Sequence, residues 1–172
     1  MRLLTNLWQV ACPNISHGYD ASAYLLDTGE ALWLLDCGTP EGYEQIVQNI
    51  RGAGLDPAKL RKILGTHGHY DHVGAASLFA RDFGAELLLH PAEREQVERG
   101  DDLRTTASIL YGSHFPPTRV AEDLVDGQRF VFPTGSLEVL HTPGHTPGGV
   151  CFVLTANGLS TLIAGDTLWG GY

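Results

Sequence analysis

Short apolar runs separated by turn residues fill most of the chain, and their lengths predict strands more often than helices. Trp8, Leu25, Leu26, Leu32, Leu34 and Leu35 belong to early strands, and Asp27-Thr28-Gly29-Glu30 suits a hairpin turn between two of them. At residues 41–51 the period changes: Tyr43, Ile46, Val47 and Ile50 share one helical face, and Gly52 ends the helix. Residues 62–65 and 86–89 read as further strands, with a helix-like stretch at 73–83 between them. Four consecutive short strands follow at 129–132, 136–140, 149–155 and 160–164, each parted from the next by turn signals.

Chemistry is concentrated at the turns. Thr66-His67-Gly68-His69-Tyr70-Asp71-His72 follows the strand at 62–65 and packs three imidazoles and a carboxylate together. Histidines two apart on an extended segment project the same way, so His67 and His69 reach one ion, while the chain turn lets Asp71 and His72 face a neighbouring position. Solvated surface histidines need no such spacing; a metal pair held on a loop does. His145, in Thr142-Pro143-Gly144-His145-Thr146-Pro147-Gly148, and Asp166, in Ala164-Gly165-Asp166-Thr167, each sit in a glycine-containing turn directly after a strand-like run. Alone, the first reads as a turn histidine and the second as a helix cap. Beside the first cluster both read as ligands, because loops at strand ends over a rigid sheet are where metal sites are preorganised.

Taken together, His-x-His-x-Asp-His at 67–72, Thr-Pro-Gly-His-Thr-Pro-Gly at 142–148, Ala-Gly-Asp-Thr-Leu at 164–168 and the Asp36-Cys37-Gly38 turn resemble the metallo-β-lactamase-fold hydrolase superfamily. Their wording is most similar to its glyoxalase II-like hydrolases and persulfide dioxygenase relatives. The resemblance implies an α+β fold, a four-layer αββα sandwich. It also implies one ion on His67, His69 and His145, and a second on Asp71 and His72, with Asp166 bridging. The family completes its second site with a later histidine. The chain ends at Tyr172, six residues past Asp166, so the expectation is one domain whose second half is incomplete, lacking the C-terminal helix and last strand or strands.

The activity implied is that of a metal-dependent hydrolase using hydroxide at the ion or ions against a thioester, lactone or related ester. Asp71 would orient the water, or accept its proton if the second ion is absent. One or two divalent ions are expected, zinc first, with iron or manganese as alternatives. A mononuclear iron dioxygenase on His67, His145 and Asp166, and a non-catalytic binding module, are the two alternatives. Asp36 reads either as a hydrogen-bond support for the ligand loops or as a plain turn residue. Residues 12–20 could fold over the metal groove as a flap or form a surface turn. Residues 95–117 could wall the site with Tyr111, His114 and Phe115, or form a packing helix or dimer surface. His90 and His141 read as strand-end or core residues.

Composition narrows the partners. A net charge of −9 argues against nucleic acid and anionic membranes and leaves a small-molecule substrate, with a homo-oligomer still open. The 43% hydrophobic content is ordinary for a globular core, and no stretch is long enough to span a membrane. Three cysteines, an odd number and widely spaced, suggest reduced thiols in a cytoplasmic protein, with Cys37 a small buried hydrophobe.

Overall fold

The computed structural model describes residues 1–168. Seven strands form the first sheet: β1 (Arg2–Leu4), β2 (Leu7–Ala11), β3 (Ala23–Asp27), β4 (Leu32–Leu35), β5 (Leu60–Leu64), β6 (Glu86–Leu89) and β7 (Val120–Asp123), in that spatial order. β1 to β4 run antiparallel to their neighbours; β4 to β7 are parallel, joined by helical crossovers. The second sheet is an antiparallel meander of β8 (Arg129–Phe132), β9 (Gly135–His141), β10 (Val150–Ala156) and β11 (Leu159–Ile163).

Side-chain alternation explains how the layers stack. Leu25, Leu34, Ile63 and Leu87 point to the helical side of the first sheet. The residues that follow them, Leu26, Leu35, Leu64 and Leu88, pack against Leu137, Val139, Phe152 and Leu154 of the second sheet. A strand buried on both faces needs adjacent apolar residues, which is why β3, β4 and β6 carry paired leucines and β5 carries Ile63-Leu64. On the helical side, α1 (Tyr43–Gly52) and α3 (Ala76–Phe83) bury Ile46, Val47, Ile50 and Phe79. All α-helices of the described residues lie between β4 and β7 in sequence, and α1, α3 and α4 (Pro91–Arg99) touch strands of the first sheet. The described residues therefore make three layers of the expected four, α, β and β. The outer face of the second sheet shows Val131 and Leu162 at 80% and 49% exposure.

Several local expectations are corrected. The single helix at 73–83 is two, α2 (Tyr70–Val73) and α3, because the Ala75 amide leaves the helical ladder to bond the Gly38 carbonyl at 2.9 Å. Residues 95–117 hold the end of α4 and the short α5 (Ala107–Tyr111). α4 and β7 are elements that apolar periodicity does not reveal: α4 turns Glu93 and Gln96 inward beside Val97, and β7 is an edge strand ending in Glu122 and Asp123. β11 is largely exposed, since it lies at the edge of its sheet. Cys12, Cys37 and Cys151 are free thiols, and no helix among the described residues is long and apolar enough to cross a membrane.

The inter-sheet core generates a prediction. Phe152→Ala, at a fully buried position, should cost about 3–5 kcal/mol in urea unfolding. Val131→Ser on the open face should change stability by less than about 0.5 kcal/mol. Similar costs for the two would contradict this account of the layers.

Candidate metal centre

The sheets deliver the polar residues to one end of the sandwich. β4 ends in Asp36, whose φ of 57° turns the chain back sharply. β5 runs into the His67-Gly68-His69 loop, and α2 carries Asp71 and His72. The β9–β10 loop supplies His145, and Asp166 sits in the 3-10 turn Gly165–Thr167 after β11. The two sheets are joined here by the Val150 amide, which donates to the Thr66 carbonyl at 2.8 Å.

Asp36 arranges the deepest histidines. Its Oδ1 accepts the Thr66 amide at 2.7 Å, and its Oδ2 accepts the Thr66 hydroxyl at 2.8 Å and lies 2.8 Å from His72 Nδ1. Thr66 Oγ1 lies 3.1 Å from His67 Nδ1. With its proton given to Asp36, Thr66 accepts from His67, so this network assigns the Nδ1–H tautomer to both imidazoles and leaves both Nε2 atoms facing the site. His67 Nε2 is buried with no hydrogen-bond partner among the described residues.

Two sets of three donors converge, each within 4.8 Å: His67, His69 and His145, and His67, His72 and Asp166. His145 Nε2 lies 3.0 Å from His69 Nδ1 and 3.4 Å from Asp166 Oδ2. His72 Nε2 lies 3.2 Å from Asp166 Oδ1 and 3.6 Å from Asp71 Oδ2. Ligands about 2.0–2.1 Å from one tetrahedral ion lie roughly 3.3–3.4 Å apart, so the spacing and the nitrogen–oxygen chemistry suit a divalent cation. All six ligand candidates from the sequence thus come together, with Asp71 reaching the second set through His72 rather than belonging to either triplet.

The electrostatics agree. Burial, then the neighbouring imidazoles of His72, His69 and His145, holds His67 well below its ordinary pKa. Burial with His145 and His72 pushes His69 down to about 4, so both are neutral, as ligands must be. On His72 burial opposes charge, but Asp36, Asp166 and Asp71 together outweigh it and raise the imidazole well above its usual value. Carboxylates that favour a proton on Nε2 favour a metal cation in its place. Burial raises the Asp71 carboxyl, whereas at Asp166 the same effect is overcome by the His72 hydrogen bond and charge, and its pKa is lowered.

A cleft of about 560 Å³ opens beside Asp71, His72 and Asp166, with Pro13, Tyr19, Tyr24, Leu162 and Leu168 on its walls. Residues 12–20 do border it. Their base is fixed by buried Asp20, which accepts from the Thr39 amide and hydroxyl at 2.8 and 2.6 Å and from Ser16 at 2.5 Å. Of the three proposed wall residues only Tyr111 reaches the centre, where burial and the charge of neighbouring Asp71 raise its hydroxyl pKa, and it packs edge-on to Tyr19 at 5.3 Å. His114 is exposed and paired with Asp102 at 2.5 Å, and Phe115 is buried against Tyr70. His90 and His141 stack on each other at 4.1 Å outside both donor sets. Glu93 was not legible in the sequence: it is a buried carboxylate bonded to the amides of Gly68 and Gly148.

Asp36→Asn tests the hub. Asparagine tolerates the left-handed backbone, but its NH2 group would face the donors of Thr66 and His72. Zinc affinity, measured by competition with a chromophoric chelator, should fall about 10–100-fold in a folded protein. Unchanged affinity would remove Asp36 from the account of the site.

Comparison with known proteins places the fold. The sequence profile of the metallo-beta-lactamase superfamily matches residues 18–171. A probable metallo-hydrolase of Methanocaldococcus jannaschii is 28% identical over 89% of this chain and 69% of its own length. A hydroxyacylglutathione hydrolase of Anaeromyxobacter dehalogenans is 31% identical over 90% of this chain and 49% of its own. Among solved structures, the metallo-beta-lactamase GOB-18 of Elizabethkingia meningoseptica superposes with a TM-score of 0.81 at 28% identity, covering 95% of this chain and 60% of that one. This chain thus spans between about half and two thirds of the length of these relatives. It belongs to the metallo-beta-lactamase superfamily, a fold that implies divalent metal ions at the histidine cluster just described.

Proposed function

We propose that the protein is a metal-dependent hydrolase of acyl compounds, cleaving a thioester, lactone or related ester with two zinc ions. The observation that carries this reading is that the two oxygens of Asp166 face different donors, Oδ2 lying 3.4 Å from His145 Nε2 and Oδ1 3.2 Å from His72 Nε2, which suits two adjacent ions better than one. His67, His69 and His145 would hold the first, and Asp71, His72 and Asp166 the second, with Asp166 between them. Bound there, such ions acidify water towards neutral pH and polarise an acyl carbonyl.

The chain's own residues supply the rest. Asp71, whose carboxyl is raised by burial and which faces the cleft, orients the attacking water. Tyr111 lies beside that carboxylate. Water oxygen adds to the acyl carbon, the bond to sulfur or oxygen breaks, and the departing thiol or alcohol leaves with a proton. Tyr19, Tyr24, Leu162 and Leu168 offer apolar wall to the acyl chain and exclude water from it.

A panel of aliphatic thioesters, lactones and aryl esters, assayed by thiol release or acid production, tests the reading. At least one class should be hydrolysed, with activity lost on dialysis against a chelator and restored by zinc. Asp71→Asn should lower kcat by about 10²–10⁴. Oxygen uptake with an iron-loaded sample and no hydrolysis would replace this reading with the dioxygenase one.

A further inference from the structure

We propose that Glu93 is a positioning residue whose buried carboxylate clamps the His67–His69 loop to the His145 loop and so sets the spacing of the first donor set. This rests on the metal-site reading above. Glu93 lies on α4 and is fully buried. Its Oε2 accepts the Gly68 amide at 3.0 Å and Gln96 Nε2 at 2.6 Å; its Oε1 accepts the Gly148 amide at 2.7 Å. Gly68 stands between His67 and His69, and Gly148 lies three residues past His145.

The bonding pattern separates a clamp from packing. Only the Gln96 contact stays within the helix, where it steadies the carboxylate. The other two leave it for segments 25 and 55 residues away in sequence, and each ends on a loop that carries ligands. Loops have no ladder of their own to fix their separation, so a rigid helix that holds both amides does it for them.

The same closeness explains two glycines of the motifs. A Cβ at residue 68 would stand 2.5 Å from Gln96 Nε2 and 2.9 Å from Glu93 Oε2. At residue 148 it would stand 2.7 Å from Glu93 Cγ and 2.8 Å from Oε1. Both loops come so near because the carboxylate reaches their backbone, and a side chain at either position would push it away.

Cobalt(II) titration of metal-free protein, read by visible absorption, tests the clamp. Glu93→Gln keeps the shape but turns an NH2 group towards one of the two amides. Cobalt affinity should fall about 10–100-fold at one class of site, with an altered ligand-field spectrum, while far-UV circular dichroism stays that of the folded protein. Gly148→Ala should act in the same direction, and in a Glu93→Ala background most of its effect should vanish, because the two nearest atoms it meets are gone and only His90 Nδ1, at 3.0 Å, remains. A folded Glu93→Gln with wild-type affinity and spectrum overturns the clamp. So does a Gly148→Ala effect that is undiminished beside Glu93→Ala, which also decides the matter if Glu93→Gln does not fold. Wild-type protein that takes up no cobalt overturns the metal-site reading itself, and this inference with it.

Discussion

The site depends first on a buried carboxylate that accepts three hydrogen bonds at the end of a central strand. Asp36 is 1% exposed, and burying such a group is costly unless every lone pair finds a donor. Thr66 and His72 provide those donors, so Asp36 cannot be satisfied without fixing both. Through Thr66 the constraint passes on to His67. A need imposed by desolvation thereby becomes the orientation of two imidazoles.

Around that hub the centre runs from closed to open. His67 and His72 are almost wholly buried, locked from behind by Thr66 and Asp36. His145, Asp71 and Asp166 are partly exposed, and the two carboxylates line the cleft. Rigid donors at the back and accessible ones at the front suit a centre that must hold a cation firmly and still admit a substrate. The loops between them are tied twice: through the Thr66–Val150 backbone bond and through Glu93.

Much of this could be read from residues alone, because the ligands are themselves a spacing pattern and the inner strands carry adjacent apolar pairs such as Leu25-Leu26, Leu34-Leu35 and Ile63-Leu64. Other parts stayed hidden for physical reasons. α4 buries Glu93 and Gln96, so its inward face is polar and apolar periodicity is silent, although Pro91 at its start and Gly100 after its end mark its limits. The break between α2 and α3 comes from a tertiary bond, Ala75 to Gly38, that local sequence does not encode. Residues 95–117 offered three candidate wall residues of similar chemistry. Only the folded chain shows Tyr111 turned towards Asp71 while His114 pairs outward with Asp102.

The central claim is that His67, His69 and His145 hold one ion and Asp71, His72 and Asp166 a second beside it. Elemental analysis of metal per chain, on protein purified without added metal and again after equilibration with zinc and gel filtration, tests it most directly. The account predicts about two zinc ions per chain after equilibration, falling to about one in His72→Ala. A folded wild-type protein that retains none, or a single ion unaffected by His72→Ala, would contradict it.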